Sequence, residues 1–351
     1  MNLRRVVERV REASSFSLTE RDVERILAAV LASGDIWEII DLADVPILTI
    51  CAGLETMRGL GWVNWDGHQI RLTAAGRRLC DRLGLVPASE LRCPQCGGRG
   101  LELGPAADIA ADFRRIAAAR PEARQEFDQG YVTEDSTLYR VAFMWAKGDL
   151  AGKELITLGD DDLVSIAMAL TELPRRVVML DLDPRLVDFV DRVGHQEGLR
   201  VEAHRRDLRQ PLPPDLRGAF DTFFCDPTES LRGFLAFAGR GLSALRGPGS
   251  AGYMGLTRRE ASLDKWRAIQ QELLQAGVAI TDLRDDFHVY VNWPYIQEMR
   301  AWDYLPIRRV PGPQERWYRS ALVRVELTRP AQVEDRPLSG DIFNDAEAAT
   351  T

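Results

Sequence analysis

Four short β-rich runs, KELITLG, RRVVMLD, RVEAHRRD and AFDTFFCD, each end at a glycine or an acid, and helical stretches separate the first three. Such apolar runs mark strands buried on both faces of a parallel sheet. Their alternation with helices predicts a doubly wound α/β domain. Downstream, GSAGYMGLT reads as a fifth strand, LDKWRAIQQELLQAG as a helix, and HVYVN and ALVRVELTR as late strands.

At 351 residues the chain exceeds the usual size of one domain. Residues 20–85 read as a small helical unit. ERDVERILAAVLA has apolar residues at helical spacing, with Ser17 or Thr19 as its cap, and two short helices follow. GWVNW and QIRLT then flank an Asp66-Gly67 turn, and AAGRRLCDRLG closes the unit. Helix–helix–helix–hairpin–helix looks like a winged helix. The candidate third helix, ILTICAGLETMRGLG, carries one basic residue, Arg58, which is poor footing for phosphate contacts. Docking or dimerisation is therefore expected ahead of DNA binding. The expected boundaries are a winged-helix-like domain at 1–88, a linker with one helix at 89–130, the α/β domain at 131–330 and a flexible acidic tail at 331–351.

Composition narrows the class. With 45% hydrophobic and 28% charged residues the chain is ordinary globular protein. No apolar run approaches membrane-spanning length, and the N-terminus lacks the apolar core of a secretory signal, so a cytoplasmic protein is expected. Five cysteines cannot scaffold so long a chain, which fits a reducing compartment. Cys93-Pro94-Gln95-Cys96 is half of a zinc-ribbon pattern without a second CxxC, and no metal is assigned. A net charge of −8 disfavours nucleic acid and suits a cationic partner.

The acids sit where ligands bind. In an open α/β sheet that place lies outside the carboxyl ends of the strands. Those ends carry Gly159-Asp160-Asp161-Asp162, Asp181-Leu182-Asp183, Asp207 and Asp226-Pro227-Thr228-Glu229. An acid closing the second strand suits ribose hydroxyls, and Asp207 falls where adenosine-binding folds meet the adenine amine. The first turn departs from nucleotide sites, with one glycine followed by three aspartates. It would repel phosphate and hold a cation, such as an amine or a sulfonium. Carboxylates packed this closely need a cation to relieve their repulsion.

LITLGDDDLVSIAMAL, VVMLDLDPRLVDFV and FFCDPTES, with CPQCGGRG and FDQGYVTEDS before them, resemble the branched-chain polyamine synthase family over most of the chain. One departure is Thr228, where the family commonly has a second proline. The resemblance implies a class I S-adenosylmethionine-transferase, Rossmann-like fold. It also implies transfer of aminopropyl groups from decarboxylated S-adenosylmethionine to the secondary amine of spermidine, giving tertiary and quaternary branched polyamines. That donor is a co-substrate, with no prosthetic group. A homodimer is part of the same expectation.

On this reading Asp226 is the base or orienting acceptor, and Asp160 and Asp161 complete the catalytic carboxylates. Gly159, Asp181, Asp183, Asp207, Gln129 and Tyr131 are assigned to the donor. Asp162, Pro227, Glu229 and Tyr295 are assigned to the polyamine, Tyr295 from the aromatic-rich WPYIQEMRAWDYLP segment, with a helix cap as the other role for Asp162. The acidic tail could fold over a bound polycation.

Two other classes compete. A nucleic-acid N-methyltransferase would explain Asp226-Pro227, yet the stacking aromatic it needs is replaced by Thr228 and Glu229. A ligand-sensing regulator would need more basic helices in the N-terminal unit. His195 and His204 belong to no Ser–His–Asp or HxxxH arrangement, so hydrolase chemistry lacks its parts.

Overall fold

The computed structural model describes residues 3–14, 16–89, 92–307, 310–314, 317–334 and 336–350. Four helices open the chain: α1 (Arg4–Ala13), α2 (Glu20–Ala32), α3 (Ile36–Ala43) and α4 (Ile47–Gly59). Helix α1 was not legible beforehand; its Val6, Val7 and Val10 form one buried face. Thr19 caps α2, its hydroxyl accepting from Asp22 N while the Asp22 carboxylate accepts from Thr19 N. Strands β1 (Val63–Asp66) and β2 (Gln69–Leu72) form a hairpin, and α5 (Ala74–Leu83) closes the unit. Asp66 pairs with Gln69, so the two-residue turn is Gly67-His68 and not Asp66-Gly67. Gly67 takes the positive φ, +63°, that such a turn requires.

After the linker come α6 (Ala110–Ala117) and α7 (Glu134–Ala146). The α/β part follows as β3 (Glu154–Leu158), α8 (Val164–Leu170), β4 (Arg176–Asp181), α9 (Pro184–Glu197), β5 (Val201–Arg205), β6 (Thr222–Cys225), α10 (Leu231–Ala244), β7 (Ala251–Leu256), α11 (Leu263–Gln275), β8 (Val278–Val289), α12 (Arg300–Tyr304) and β9 (Arg319–Leu327). The seven-stranded sheet runs β5-β4-β3-β6-β7-β9-β8, with β9 antiparallel to both neighbours and the first five strands parallel. This is a mixed-sheet, Rossmann-like α/β domain.

β8 is longer than expected. The run AITDLRDDF joins it although it is heavily charged, because β8 lies at the sheet edge and residues 280–286 alternate between half-buried and exposed. HVYVN contributes only His288 and Val289; Tyr290 makes an isolated bridge to Val132.

Topology makes the site. The chain lays β4 and β5 to one side of β3, then crosses to place β6 on the other side. Leu158 and Cys225 are direct partners at the last rungs of β3 and β6. Their following turns, Gly159–Asp162 and Asp226–Glu229, therefore open into one crevice at the switch point. The N-terminal unit docks beside it. Ile47 N donates to Arg259 O at 2.7 Å, the Arg259 guanidinium pairs with Asp41 at 2.6 Å, and the Trp37 indole donates to Pro311 O at 2.9 Å. Its core is continuous with Tyr290, Trp293, Tyr295, Met299, Trp317 and Tyr318.

The tail does not hang free. Among its described residues, Ile342, Ala348 and Ala349 are buried. Asp345 pairs with Lys265 at 2.8 Å, Ser230 donates to Ile342 O, and Arg300 holds the Asp345 and Ala348 carbonyls at 2.9 and 3.0 Å. The acidic composition that predicted mobility is answered by cations on the surface beneath it.

Candidate active site

Two clefts share one wall at the switch point. The first has a cavity volume of about 70 Å³ and is bordered by Gly159, Asp181, Asp207, Gln129, Phe237 and the tail's Ile342 and Phe343. The second has about 40 Å³ and is bordered by Pro227, Glu229, Tyr290, Trp293, Tyr318 and Thr350. Asp128, Asp161, Asp226 and Thr228 face both. A more open hollow beside Arg99 and Arg319 lies away from the strand ends, and its guanidiniums do not suit a polycation.

The shared wall is strongly acidic, with Asp128, Asp161 and Asp226 half-buried. Asp226 accepts from Arg140 on one oxygen and from the Tyr290 hydroxyl at 2.8 Å. Burial pushes its carboxyl up to about 6, while Arg140 pulls the other way and Asp162 adds to the rise. Asp161 accepts from Gly130 N at 3.0 Å; burial and the neighbouring Asp162 and Asp181 raise it well above the ordinary range. Asp128 stands in left-handed backbone at φ 54° and is pushed up to about 7, chiefly by burial. Glu229, beside Glu260 and Asp128, is raised well above its usual value, first by burial and then by those charges.

Not every predicted acid meets a cleft. Asp160 lines neither. Both of its oxygens are taken by the first amides of α8, Val164 N at 2.8 Å and Ser165 N at 3.0 Å, and it is 1% exposed. Asp160 is therefore the residue that satisfies this helix N-terminus, the role considered for Asp162. Asp162 is buried between Val132 N, at 2.6 Å, and Arg140. Asp183 is fully buried as the α9 cap; burial raises it, but hydrogen bonds from Arg185 and from Gln129 at 2.9 Å outweigh that and hold it below the usual range.

The remaining assignments divide in the same way. Asp181 accepts from Asp160 N at 2.9 Å and Asp183 N at 2.8 Å, borders the larger cleft, and is pushed up to about 6 by burial. Asp207 stays low through its ion pair with Arg209 at 2.7 Å. Gln129 borders the larger cleft and is fixed by Asp183 and by Arg124 N. Tyr131 lies outside both clefts under the Arg120 guanidinium, 3.4 Å from its ring centroid. Tyr295 likewise lies outside both; its hydroxyl anchors the Gln129 carbonyl.

Several residues at the site went unassigned in the sequence. Asp128 sits in the FDQG segment, directly before Gln129. Arg140 had one signal, a lone basic residue on the buried face of α7. Tyr290, Tyr318 and Glu260 come from segments that only the fold assembles, whereas Trp293 opens the aromatic-rich WPYIQEMRAWDYLP segment already singled out in the sequence. The Tyr318 hydroxyl donates to Glu260 at 2.6 Å, and Glu260 also accepts Thr350 N at 3.1 Å, tying the tail to the site. Gly130 must be glycine, because a Cβ there would stand 2.2 Å from the Trp293 indole nitrogen.

Cys93 and Cys96 stay apart from the other thiols. Cys51, Cys80 and Cys225 are buried elsewhere, and among the described residues no group of three or more metal-ligating side chains forms. No described helix is long and apolar enough to cross a membrane.

A family model described as "Branched-chain polyamine synthase A C-terminal domain" matches residues 108–350. The chain is 49% identical to an N(4)-bis(aminopropyl)spermidine synthase of Thermus thermophilus, over 98% of this chain and 97% of that protein. It is 41% identical to a protein of the same name from Thermococcus kodakarensis, over 99% and 100%. A solved structure of the branched-chain polyamine synthase from Thermus thermophilus, in complex with N4-aminopropylspermidine and 5′-methylthioadenosine, matches with TM-score 0.93 and 48% identity, covering 99% of this chain and 98% of that one.

Proposed function

The chain belongs to the branched-chain polyamine synthase family, and on that premise we propose that it transfers aminopropyl groups from decarboxylated S-adenosylmethionine to the secondary amine of spermidine. The observation that carries this reading is the carboxylate wall common to the two clefts. Asp128, Asp161 and Asp226 would repel a phosphate and are matched by a sulfonium on one side and a polyamine on the other.

The donor's nucleoside takes the larger cleft, between Gly159, Asp181 and Asp207, under Ile342 and Phe343. The polyamine takes the smaller one. Its attacking nitrogen must be neutral, so a proton must leave before the lone pair can act. Asp226 is the acceptor: it faces both clefts, its carboxyl ionises near 6, and Arg140 and Tyr290 hold its orientation. The nitrogen forms a bond to the methylene beside sulfur, the C–S bond breaks, and its electron pair leaves on 5′-methylthioadenosine. Asp161 and Asp128 offset the positive charge along this path. Glu229, with Glu260 behind it, holds an outer ammonium. Asp160 and Asp183 act as positioning residues, since their oxygens are spent on helix amides and neighbouring side chains.

The N-terminal unit is read here as a winged-helix-like docking module. That order of helices and hairpin, and its single basic residue on α4, support docking over DNA contact. A homodimer and a cytoplasmic location complete the proposal; five free cysteines suit that compartment. Light scattering of the purified protein tests the first and cell fractionation the second.

Mass spectrometry of spermidine incubated with the donor and purified protein tests the activity. Successive aminopropyl increments support it; none, with S-adenosylmethionine consumed on nucleic acid instead, would replace it with the methyltransferase reading.

A further inference from the structure

We propose that the aromatic face formed by Tyr290, Trp293 and Tyr318 determines how far the branching reaction proceeds, by supporting a branch nitrogen that no longer carries an N–H. The inference deepens the function proposed above and rests on it.

The three rings border the smaller cleft together with Asp226 and Glu229. Trp293 lies parallel to Tyr290, 8° apart with centroids at 5.8 Å, and Tyr318 meets it edge-on at 5.0 Å. Each tyrosine is pinned by its hydroxyl: Tyr290 to Asp226 at 2.8 Å, Tyr318 to Glu260 at 2.6 Å and Glu229 at 3.1 Å. Trp317 packs behind Trp293 at 6.1 Å. These faces are rigid, and they adjoin the carboxylate at which the first bond forms.

The two transfers ask different things of that wall. In the first, a secondary amine becomes a tertiary one; its ammonium form keeps an N–H that a carboxylate can accept. In the second, the lone pair of the tertiary amine makes the new N–C bond, the donor's C–S bond breaks, and the pair leaves on 5′-methylthioadenosine. The nitrogen then bears four carbons and nothing for a carboxylate to hydrogen-bond. Its charge is spread over the adjoining methylenes, the kind of cation that aromatic faces attract. Asp128, Asp161, Asp226 and Glu229 supply charge but no contact suited to that centre.

The test reads the ratio of doubly to singly extended spermidine, by mass spectrometry, in the wild type, Trp293→Leu and Trp293→Phe. Whatever happens to the first transfer, the ratio is expected to fall roughly tenfold in Trp293→Leu, in line with a cation–π contact at a desolvated site, and to recover in Trp293→Phe. A ratio within about twofold of wild type in Trp293→Leu, or an equal loss in both variants, overturns the proposal. A wild type that adds no aminopropyl group overturns the function proposed above, and this inference with it; a wild type that adds one or two groups with an unchanged ratio in the variants overturns this inference alone.

A binding measurement on the wild type does not depend on the variants' folding. Calorimetry compares N4-aminopropylspermidine with its N4-methyl quaternary salt, which has the charge of the fully protonated amine but no N–H at the branch. Comparable affinity is expected; a quaternary salt weaker by about tenfold or more overturns the proposal.

Discussion

Arg140, with its side chain fully enclosed at the middle of α7, reaches the carboxylate of Asp226 at the end of β6. Its other terminal nitrogen holds Asp162 from the triple-aspartate turn. One guanidinium thereby ties the turns after β3 and β6 together. It remains charged despite burial because two carboxylates flank it. Asp226 is thus oriented by a group that touches no cleft.

Removing the acceptor should stop the chemistry while leaving the fold. Asp226→Asn is expected to lower kcat at least about 100-fold, the usual range for losing a general base. Circular dichroism should match wild type, since the amide still accepts from Tyr290. Retained turnover would move the role to Asp161.

Losing the tie should instead cost stability. Arg140→Met strands two buried carboxylates and is expected to cost about 3–5 kcal/mol in denaturant unfolding. Arg140→Lys should recover little of this, because an ammonium cannot present two separated donors in one plane as the fork does.

The raised carboxyls predict a pH dependence of the unliganded protein. Asp128 and Asp160 ionise near 7 and Asp181 and Asp226 near 6 when folded, against about 4 in the unfolded chain. Between those limits the native state binds more protons at these four groups, so their contribution to stability is fullest below about pH 4 and is lost as pH rises through 7. Spermidine favours the ionised forms. Its rise in Tm by scanning fluorimetry should therefore be larger at pH 8 than at pH 5; an equal rise would show that Asp128 and Asp226 do not meet the polyamine.

Deleting residues 340–351 should weaken both substrates at once. Ile342 and Phe343 border the larger cleft and Thr350 the smaller. KM for donor and acceptor is expected to increase roughly tenfold each, about 1.4 kcal/mol apiece. Unchanged values for both would reduce the tail to packing.

How legible the site was varied with distance along the chain. The ends of β3, β4 and β6 could be read directly, because these buried parallel strands stay apolar almost until they emerge, whereas β5 lies at the sheet edge with Glu202 and His204 exposed. Which aspartate in Gly159–Asp162 turns toward ligand could not be read. Three successive acids look alike in sequence, and the choice depends on which carboxylate the α8 amides take.

The anchoring of the tail, the meeting of Tyr318 with Tyr290 and Trp293, and Arg140 were hidden for another reason. An acidic segment such as 331–351 reads as solvated unless the cations it meets are known, and Lys265 and Arg300 come from other elements. Tyr318 is joined to Tyr290 and Trp293 by a chain reversal, not by spacing. What the sequence by itself determined is the parallel sheet and its rim of acids, since burial of strands and emergence of their ends are local, periodic properties. Only the tertiary structure decided which acids face ligand and which cap helices, because that depends on desolvation and on partners supplied by residues far away in the chain.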